Sequence, residues 1–421
     1  MRLDKVIITN FKTLTDVSID VGRVNVFIGA NGVGKTSILD AIGIISATMV
    51  ERTSDRLLEE RGVRLGTPYL YKSSFAGRKT PPFMSFGIKW HADDDFDYQY
   101  KFSLNAPRDR VNFEWKFHSE ALTRKQTNET IFGRSNRSAT FDEFDHIKIS
   151  RDRSMYSVLK DTITPSIDSH HFDWQKIDIN QQLANFGIYA PNTLMLRGVM
   201  DERVSRAPVG LYGSNLPNAV SDLVTGGLTG PESERLPPEL HQLCHRLFFI
   251  NDWCKSVISG ARNLNILSPN VTAQPKVLKF TDRYMDATRN IVTAYDANEG
   301  ALYSLFLACL LFHPLSPEVF AVDNVDYGLN PRVAREVARI FSEYAKLTDK
   351  TIFLTTHNPL ILDGLDLRND DIRLFRVERN RKGMTKVTRI MINELIGEEE
   401  NSYSSLSQLW LSGQLGGMPN L

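Results

Sequence analysis

The run Val24-Asn-Val-Phe-Ile28, continued by Gly29-Ala-Asn-Gly-Val-Gly-Lys-Thr36, limits what this chain can fold into more than any other stretch. Its β-branched and aromatic residues read as a short buried strand, and Ser37 to Val50 carries apolar residues at helical spacing. Strand, glycine loop and helix in that order form the context of a phosphate-binding loop. The glycines let the backbone turn tightly, so successive N–H groups and the helix N-terminus face an anion. On this reading Gly29, Asn31, Gly32, Gly34 and Ser37 line a nucleotide. Lys35 reaches its β- and γ-phosphates, and the Thr36 hydroxyl holds Mg²⁺.

The preceding residues, Arg2 to Val21, read as two alternating strands joined by a turn around Lys12 to Asp16. A hairpin running into the loop strand is not how small GTPases or kinases begin. The chain has 421 residues, enough for two or three domains. Fifty basic side chains balance fifty acidic ones, so no net field holds the whole body on nucleic acid. Three scattered cysteines (Cys244, Cys254, Cys309) do not make a disulfide framework and fit a reducing compartment. The start, MRLDKVIITNF, lacks the apolar core of a secretory leader, and Ala301 to Phe312 is too short to span a membrane. The expectation is a cytoplasmic protein with no membrane partner.

Far along the chain, Glu318 to Asp323 (EVFAVD) is an apolar strand ending in a carboxylate, the Walker B pattern, with Asp323 as a second Mg²⁺ residue. Thr351 to Asn358 (TIFLTTHN) is another strand, ending in His357, which at such a site can contact the γ-phosphate or attacking water. Between the two Walker motifs, Asn298, Glu299 and Gly300 open an apolar helix.

These residues resemble the ABC-type AAA ATPase head shared by RecF and SMC proteins and the overcoming-lysogenization-defect nucleases. Within that group the chain resembles the stand-alone ATPase subunits of prokaryotic anti-phage defence systems of the Septu and PARIS kind. The matching pieces are the hairpin from Val6 to Lys12, GANGVGKT, NEG, VFAVD, GLNP and TTHNP, with the C-terminal WLSGQLGGMPNL similar to the tail of such subunits. The resemblance implies an α/β fold, an ABC-type P-loop head with an antiparallel β lobe and a helical insertion. It also implies ATP sandwiched between two heads. Lys35 and Asp323 of one head would face the signature residues Asn298, Glu299 and Gly300 of the other, with Gly328 to Pro331 crossing between the sites. The implied partners are a second copy, as homodimer or higher oligomer, and a separately encoded effector, a nuclease.

Two positions depart from the family pattern. The glutamate that usually follows the Walker B aspartate, as base for the attacking water, is Asn324 here. An amide orients water without accepting its proton, so hydrolysis is expected to slow by ~10²–10⁴-fold. Asp326 would lie on the same side if the strand continued, and is the candidate substitute. Asn298 also stands where the signature usually has serine. Gln99, the first glutamine after the P-loop helix, falls in a segment that reads as a strand and does not make a convincing Q-loop.

The expected division is residues 1–50 as the first part of the head, 51–160 as the antiparallel lobe, 161–284 as the helical insertion and 285–421 as the rest of the head. Alternating runs from Phe83 onward support the lobe, and ELHQLCHRLFFINDWCKSVISGA has helical spacing without a heptad arm. His241, Cys244, His245 and Cys254 read as helix residues and not as a zinc site, and His170-His171 reads as a loop. Basic residues cluster in 51–64 and 132–153, interleaved with acids, so any DNA contact would go to phosphates without base reading. A RecF-like DNA-dependent repair ATPase and a nucleotide-independent scaffold remain the alternative functions. No nuclease signature is visible, and residues 366–421 are too few for a Toprim domain.

Overall fold

The computed structural model describes all residues except 52, 68–69, 106–114, 135–138, 141–148, 164–173, 232–234, 262–275, 392–404 and 418–421. Its centre is a six-stranded sheet. The strands are β3 (Val24–Ile28), β9 (Ile188–Tyr189), β13 (Val319–Val322), β14 (Thr351–Thr355), β15 (Ile372–Arg379) and β16 (Thr385–Ile390), in the order β16-β15-β3-β14-β13-β9. All pairings are parallel except that of β16 with β15. β3, β13 and β14 are buried along their whole length, as expected for parallel strands covered on both faces. Their two-residue period sorts them between two cores. Val24, Val26, Ile28, Phe320, Val322, Ile352 and Leu354 face one core, whereas Phe27, Val319, Ala321 and Phe353 face the other.

The second core is shared with an antiparallel sheet of order β2-β1-β4-β5-β6-β7-β8. Its strands are β1 (Arg2–Phe11), β2 (Leu14–Asp20), β4 (Met84–His91), β5 (Asp97–Asn105), β6 (Lys116–Arg124), β7 (Glu129–Arg134) and β8 (Ala139–Thr140). The lobe expected at 51–160 is thus a meander, but it begins earlier in the chain. β1 pairs on one side with β2 and on the other with β4, Val6 standing opposite both Ile19 and Ile88. Helix α1 (Lys35–Val50) contributes Ile38, Leu39, Ile42 and Ile45 to this core. Gln99 lies in β5, away from the central sheet's strand ends.

The segment expected as a helical insertion needs correction. Helix α2 (Asp55–Glu59) precedes β4, while the short helices α3 (Met155–Ile163), α4 (Trp174–Ile177), α5 (Asn180–Leu183), α6 (Thr193–Leu196), α7 (Leu216–Asp222) and α8 (Pro238–Phe248) do occupy much of the segment and its leading edge. The helical reading fails after α8, because Cys254–Ala261 is strand β10, paired with β11 (Lys276–Asp282) and through it β12 (Ile291–Thr293). Val257 is buried opposite Phe280 while Ile258 is 57% exposed, a period-two pattern that helical spacing masked. β9, from the same segment, forms the edge of the central sheet. Helices α6 to α8 and strands β10 and β11 share the first core with α9 (Glu299–Phe312) and α10 (Pro331–Leu347), whereas α2 to α5 pack in the second. The final helix is α11 (Leu406–Leu411).

His241, Cys244 and His245 lie on α8 and Cys254 opens β10; both cysteines are buried. Among the described residues no group of three metal-ligating side chains converges, and no helix is long and apolar enough to cross a membrane. His170, His171 and much of the basic stretch 132–153 lie outside the described residues.

Candidate nucleotide site

Parallel strands in register carry their following loops to one edge of a sheet, where ligands of open α/β folds sit. Phe27 of β3 stands opposite Thr355 of β14, and Leu354 opposite Val322 of β13. The glycine loop, the residues after Val322 and the residues after Thr355 therefore meet. Thr36 Oγ1 lies 3.1 and 3.2 Å from the two Asp323 carboxylate oxygens, 287 residues away in sequence. The Thr355 hydroxyl donates to Asp323 Oδ1 at 2.5 Å and accepts from Asn324 N–H at 2.8 Å.

Lys35 is 6% exposed, and its ammonium donates to the loop carbonyls of Gly29 (2.7 Å) and Ala30 (3.0 Å). Burial lowers its pKa to about 8, against the opposing pull of Asp323 and Asp326. No side chain caps the first turn of α1, whose N-cap is Gly34, so its N–H groups are available to an anion. Gly34 has φ 115°, and a Cβ there would lie 2.7 Å from Thr385 Oγ1. That hydroxyl braces the loop from behind, 2.6 Å from the Val33 carbonyl and 2.7 Å from Thr13 Oγ1. Asn31 and Gly32 are exposed and Ser37 is buried at the helix start.

His357 and Asp326 join the same cluster. Strand β13 stops at Val322, so Asp326 does not arrive along a continuing strand, as the sequence suggested it could. It comes round in a turn, accepting from the Thr356 hydroxyl at 2.6 Å and from His357 N–H at 3.4 Å. Partial burial first, and the Lys35 charge next, hold the His357 imidazole below its ordinary pKa. It is neutral at pH 7 and can both donate and accept. Asn324 is exposed and has φ 56°, a left-handed conformation that asparagine tolerates better than glutamate. Its carbonyl accepts from the Tyr303 hydroxyl at 3.0 Å.

The signature residues lie elsewhere. Asn298 caps α9, its Oδ1 accepting from Ala301 N–H at 2.8 Å. Glu299 is bonded to the Thr193 hydroxyl, and a Cβ on Gly300 would sit 3.1 Å from the Gly328 carbonyl. With Gly328 to Asn330 and one face of α10 they line an open cleft of about 1250 Å³ that contains neither Lys35 nor Asp323. The structure therefore brings together the P-loop, Asp323, Asp326 and His357, and separates Asn298, Glu299 and Gly300 from them.

Several supporting residues escape a reading of the sequence. Thr355, Tyr303, Thr193 and Thr385 act through contacts between distant segments that no local pattern announces. Asp40 did leave a signal, as a lone acid in the apolar helix SILDAIGIISA. It is fully buried and paired with Lys12 (2.6 Å), with Arg64 at 3.4 Å. The lysine of the hairpin motif is thereby tied to the P-loop helix.

The donor set fits a nucleoside triphosphate with Mg²⁺. It offers an uncapped helix start, a buried lysine and two hard oxygen ligands, where Mg²⁺ usually takes one or two protein oxygens and completes its shell with water and phosphate.

Residues 1–184 match a family model described as AAA ATPase domain, and residues 272–363 match one described as AAA domain, putative AbiEii toxin, Type IV TA system. No curated protein sequence matches the chain. Among solved structures, an SMC head bound to the C-winged helix domain of ScpA is 12% identical, with 94% of this chain and 99% of that one covered and a TM-score of 0.54. An SMC head from Thermotoga maritima is 14% identical over 93% and 99% of the two chains, at a TM-score of 0.45. The strand-end cluster just described draws on both of these matched regions, each similar to an AAA domain, and the chain as a whole has the α/β fold of a solved SMC head.

Proposed function

We propose that the chain is an ATP-driven switch with slow turnover, serving as the sensor or regulatory subunit of a separately encoded effector nuclease in defence against phage. The observation that carries the slow switch is Asn324, which follows Asp323 where a proton-accepting carboxylate would be needed. In this reading Lys35 and the first turn of α1 hold the phosphates, while Thr36 and Asp323 hold Mg²⁺, which would polarise the phosphoryl oxygens when bound. Gly29, Asn31, Gly32, Gly34 and Ser37 complete the cradle. Asn324 and neutral His357 orient the attacking water, with Asp326 the candidate carboxylate to take its proton.

The open cleft at Asn298, Glu299 and Gly300 supports sandwiching in trans, because two helix starts, of α9 and α10, meet there away from the chain's own P-loop. Tyr303 then links the two half-sites, running from the signature helix to the Asn324 carbonyl. A solved SMC head carries a domain of ScpA, a separate protein, which supports docking of an effector on a head of this fold. The defence role and the nuclease rest on the family resemblance alone.

The test is steady-state ATP hydrolysis by wild type and Asn324→Glu, followed by affinity purification from the native locus with mass spectrometry. Slow wild-type turnover that the glutamate raises, with a stoichiometric nuclease recovered, is expected. An Asn324→Glu protein that binds ATP but hydrolyses it no faster would sink the slow-switch reading. Recovery of a bare oligomer with DNA-stimulated turnover would favour the RecF-like alternative.

A further inference from the structure

The C-terminal segment lies against the back of the nucleotide site. Ser407 donates from its N–H and hydroxyl to the two Asp363 carboxylate oxygens, at 2.9 and 2.6 Å. Asp363 belongs to the 3₁₀ turn Pro359–Gly364, which begins two residues after His357. Trp410 and Leu415 are 4% and 3% exposed, so both anchor in the core. Arg376 Nη1 donates to the Leu415 carbonyl at 3.1 Å.

Gly416 packs on Arg376, and Gly417 approaches the phosphate loop itself. A Cβ on Gly417 would lie 3.4 Å from Gly29 Cα and 3.3 Å from Arg376 Cγ, at a φ of 73° that only glycine adopts freely. Gly29 itself has no room for a side chain, since a Cβ there would meet the Val377 carbonyl at 2.1 Å, an oxygen also 3.8 Å from the Gly417 Cβ position. The first glycine of the P-loop therefore abuts both β15 and the C-terminal segment. Among the described residues the Trp410 indole N–H has no hydrogen-bond partner, a cost that undocking into water would relieve.

We propose that Ser405–Gly417 is a positioning strap, through which docking of the C-terminal segment and binding of a nucleoside triphosphate are coupled. This rests on the ATPase reading of the same site. Whatever holds the strap down stiffens the first P-loop turn and the turn behind His357 together, and occupancy of the loop favours the docked strap to the same degree. An effector that grips this segment would thereby act on nucleotide affinity without touching the nucleotide.

The test uses the full chain with Ser412→Cys carrying a bimane fluorophore. Ser412 is exposed, whereas the three native cysteines are buried and burial raises their thiol pKa values, so labelling is selective. Titration with Mg²⁺ and a non-hydrolysable ATP analogue is expected to shift the bimane emission, and Lys35→Ala to abolish the shift. Gly417→Val, followed by calorimetry, should weaken analogue binding about tenfold. If the analogue binds but bimane is silent and Gly417→Val binds as wild type does, the strap is overturned. An equal shift in Lys35→Ala overturns it too. Wild type that binds no analogue overturns the ATPase reading itself, and the coupling with it. Should Gly417→Val misfold, the label on the otherwise wild-type chain decides.

Discussion

The P-loop half-site and the signature half-site are built in opposite ways. The first sits at the ends of three parallel strands whose faces are both buried, and each functional group already has a partner in the chain: Thr36 and Thr355 on Asp323, Lys35 on two loop carbonyls, Thr356 on Asp326. The second sits at two helix starts capped by Asn298 and Asn330, beside an open cleft. The difference teaches that the strand-end cluster is pre-organised within one chain, whereas the face at Asn298 and Asn330 is left open; on the proposed reading the first holds the nucleotide and the second meets one from outside.

Breaking the buried side has the largest expected effect. Lys12→Met leaves Asp40 without its closest countercharge in the core, with only Arg64 at 3.4 Å. Uncompensated buried carboxylates cost about 3 kcal/mol, so denaturant titration should show that loss of stability. Lys35→Ala should weaken ATP binding at least about a hundredfold, roughly 2.7 kcal/mol, in calorimetry of the monomer. Asn298→Ala sharpens the contrast. Monomer ATP binding should persist while ATP-dependent dimerisation and turnover fall, with about 1 kcal/mol of stability lost from the missing cap. If Asn298→Ala weakened monomer binding as much as Lys35→Ala, the two half-sites would not be distinct.

A pH titration separates the two sides without a mutation. Lys35 has its pKa lowered to about 8 in the folded, ligand-free chain, from the ordinary lysine value of 10.5. Bound phosphates favour the ammonium, so ATP affinity should fall as pH rises through 8. For folding the sign is opposite: between pH 8 and 10.5 the unfolded chain binds more protons at this residue, so its contribution to stability rises with pH. Affinity and this part of stability should move in opposite directions, and Lys35→Met should flatten both. The smallest effect belongs to Tyr303→Phe, which removes the hydroxyl donated to Asn324 and should cost about 1 kcal/mol. A disproportionate drop in turnover there would show that the signature helix controls the Walker B end.

Much of the site was legible because its chemistry is local. GANGVGKT and VFAVD each contain strand and ligand within a few residues, so the backbone that presents Lys35, Thr36 and Asp323 is encoded beside them. The segment from Cys254 to Ala261 was misread for a related reason. Valine and isoleucine at neighbouring positions fit either period, and only pairing with β11 makes one residue inward and the other outward. The hairpin before the P-loop was legible as a hairpin, but its second partner, β4, comes only after the P-loop helix, at Met84–His91. Asp326 was foreseen as a substitute carboxylate on the wrong geometry, since strand β13 ends at Val322.

By itself the sequence determined the strands that lead into the site, the phosphate loop, the carboxylate and histidine that follow two of those strands, and the asparagine that stands where a base is expected. These follow from residue type and short-range spacing, which the chain carries wherever it folds. Only the tertiary structure decided that Thr36 and Asp323 meet across 287 residues, that Asn298 to Gly300 stand apart from them, and that Gly417 packs close to Gly29. Those placements depend on parallel register and on two cores packed against one sheet, and such long-range packing leaves no periodic trace in the sequence.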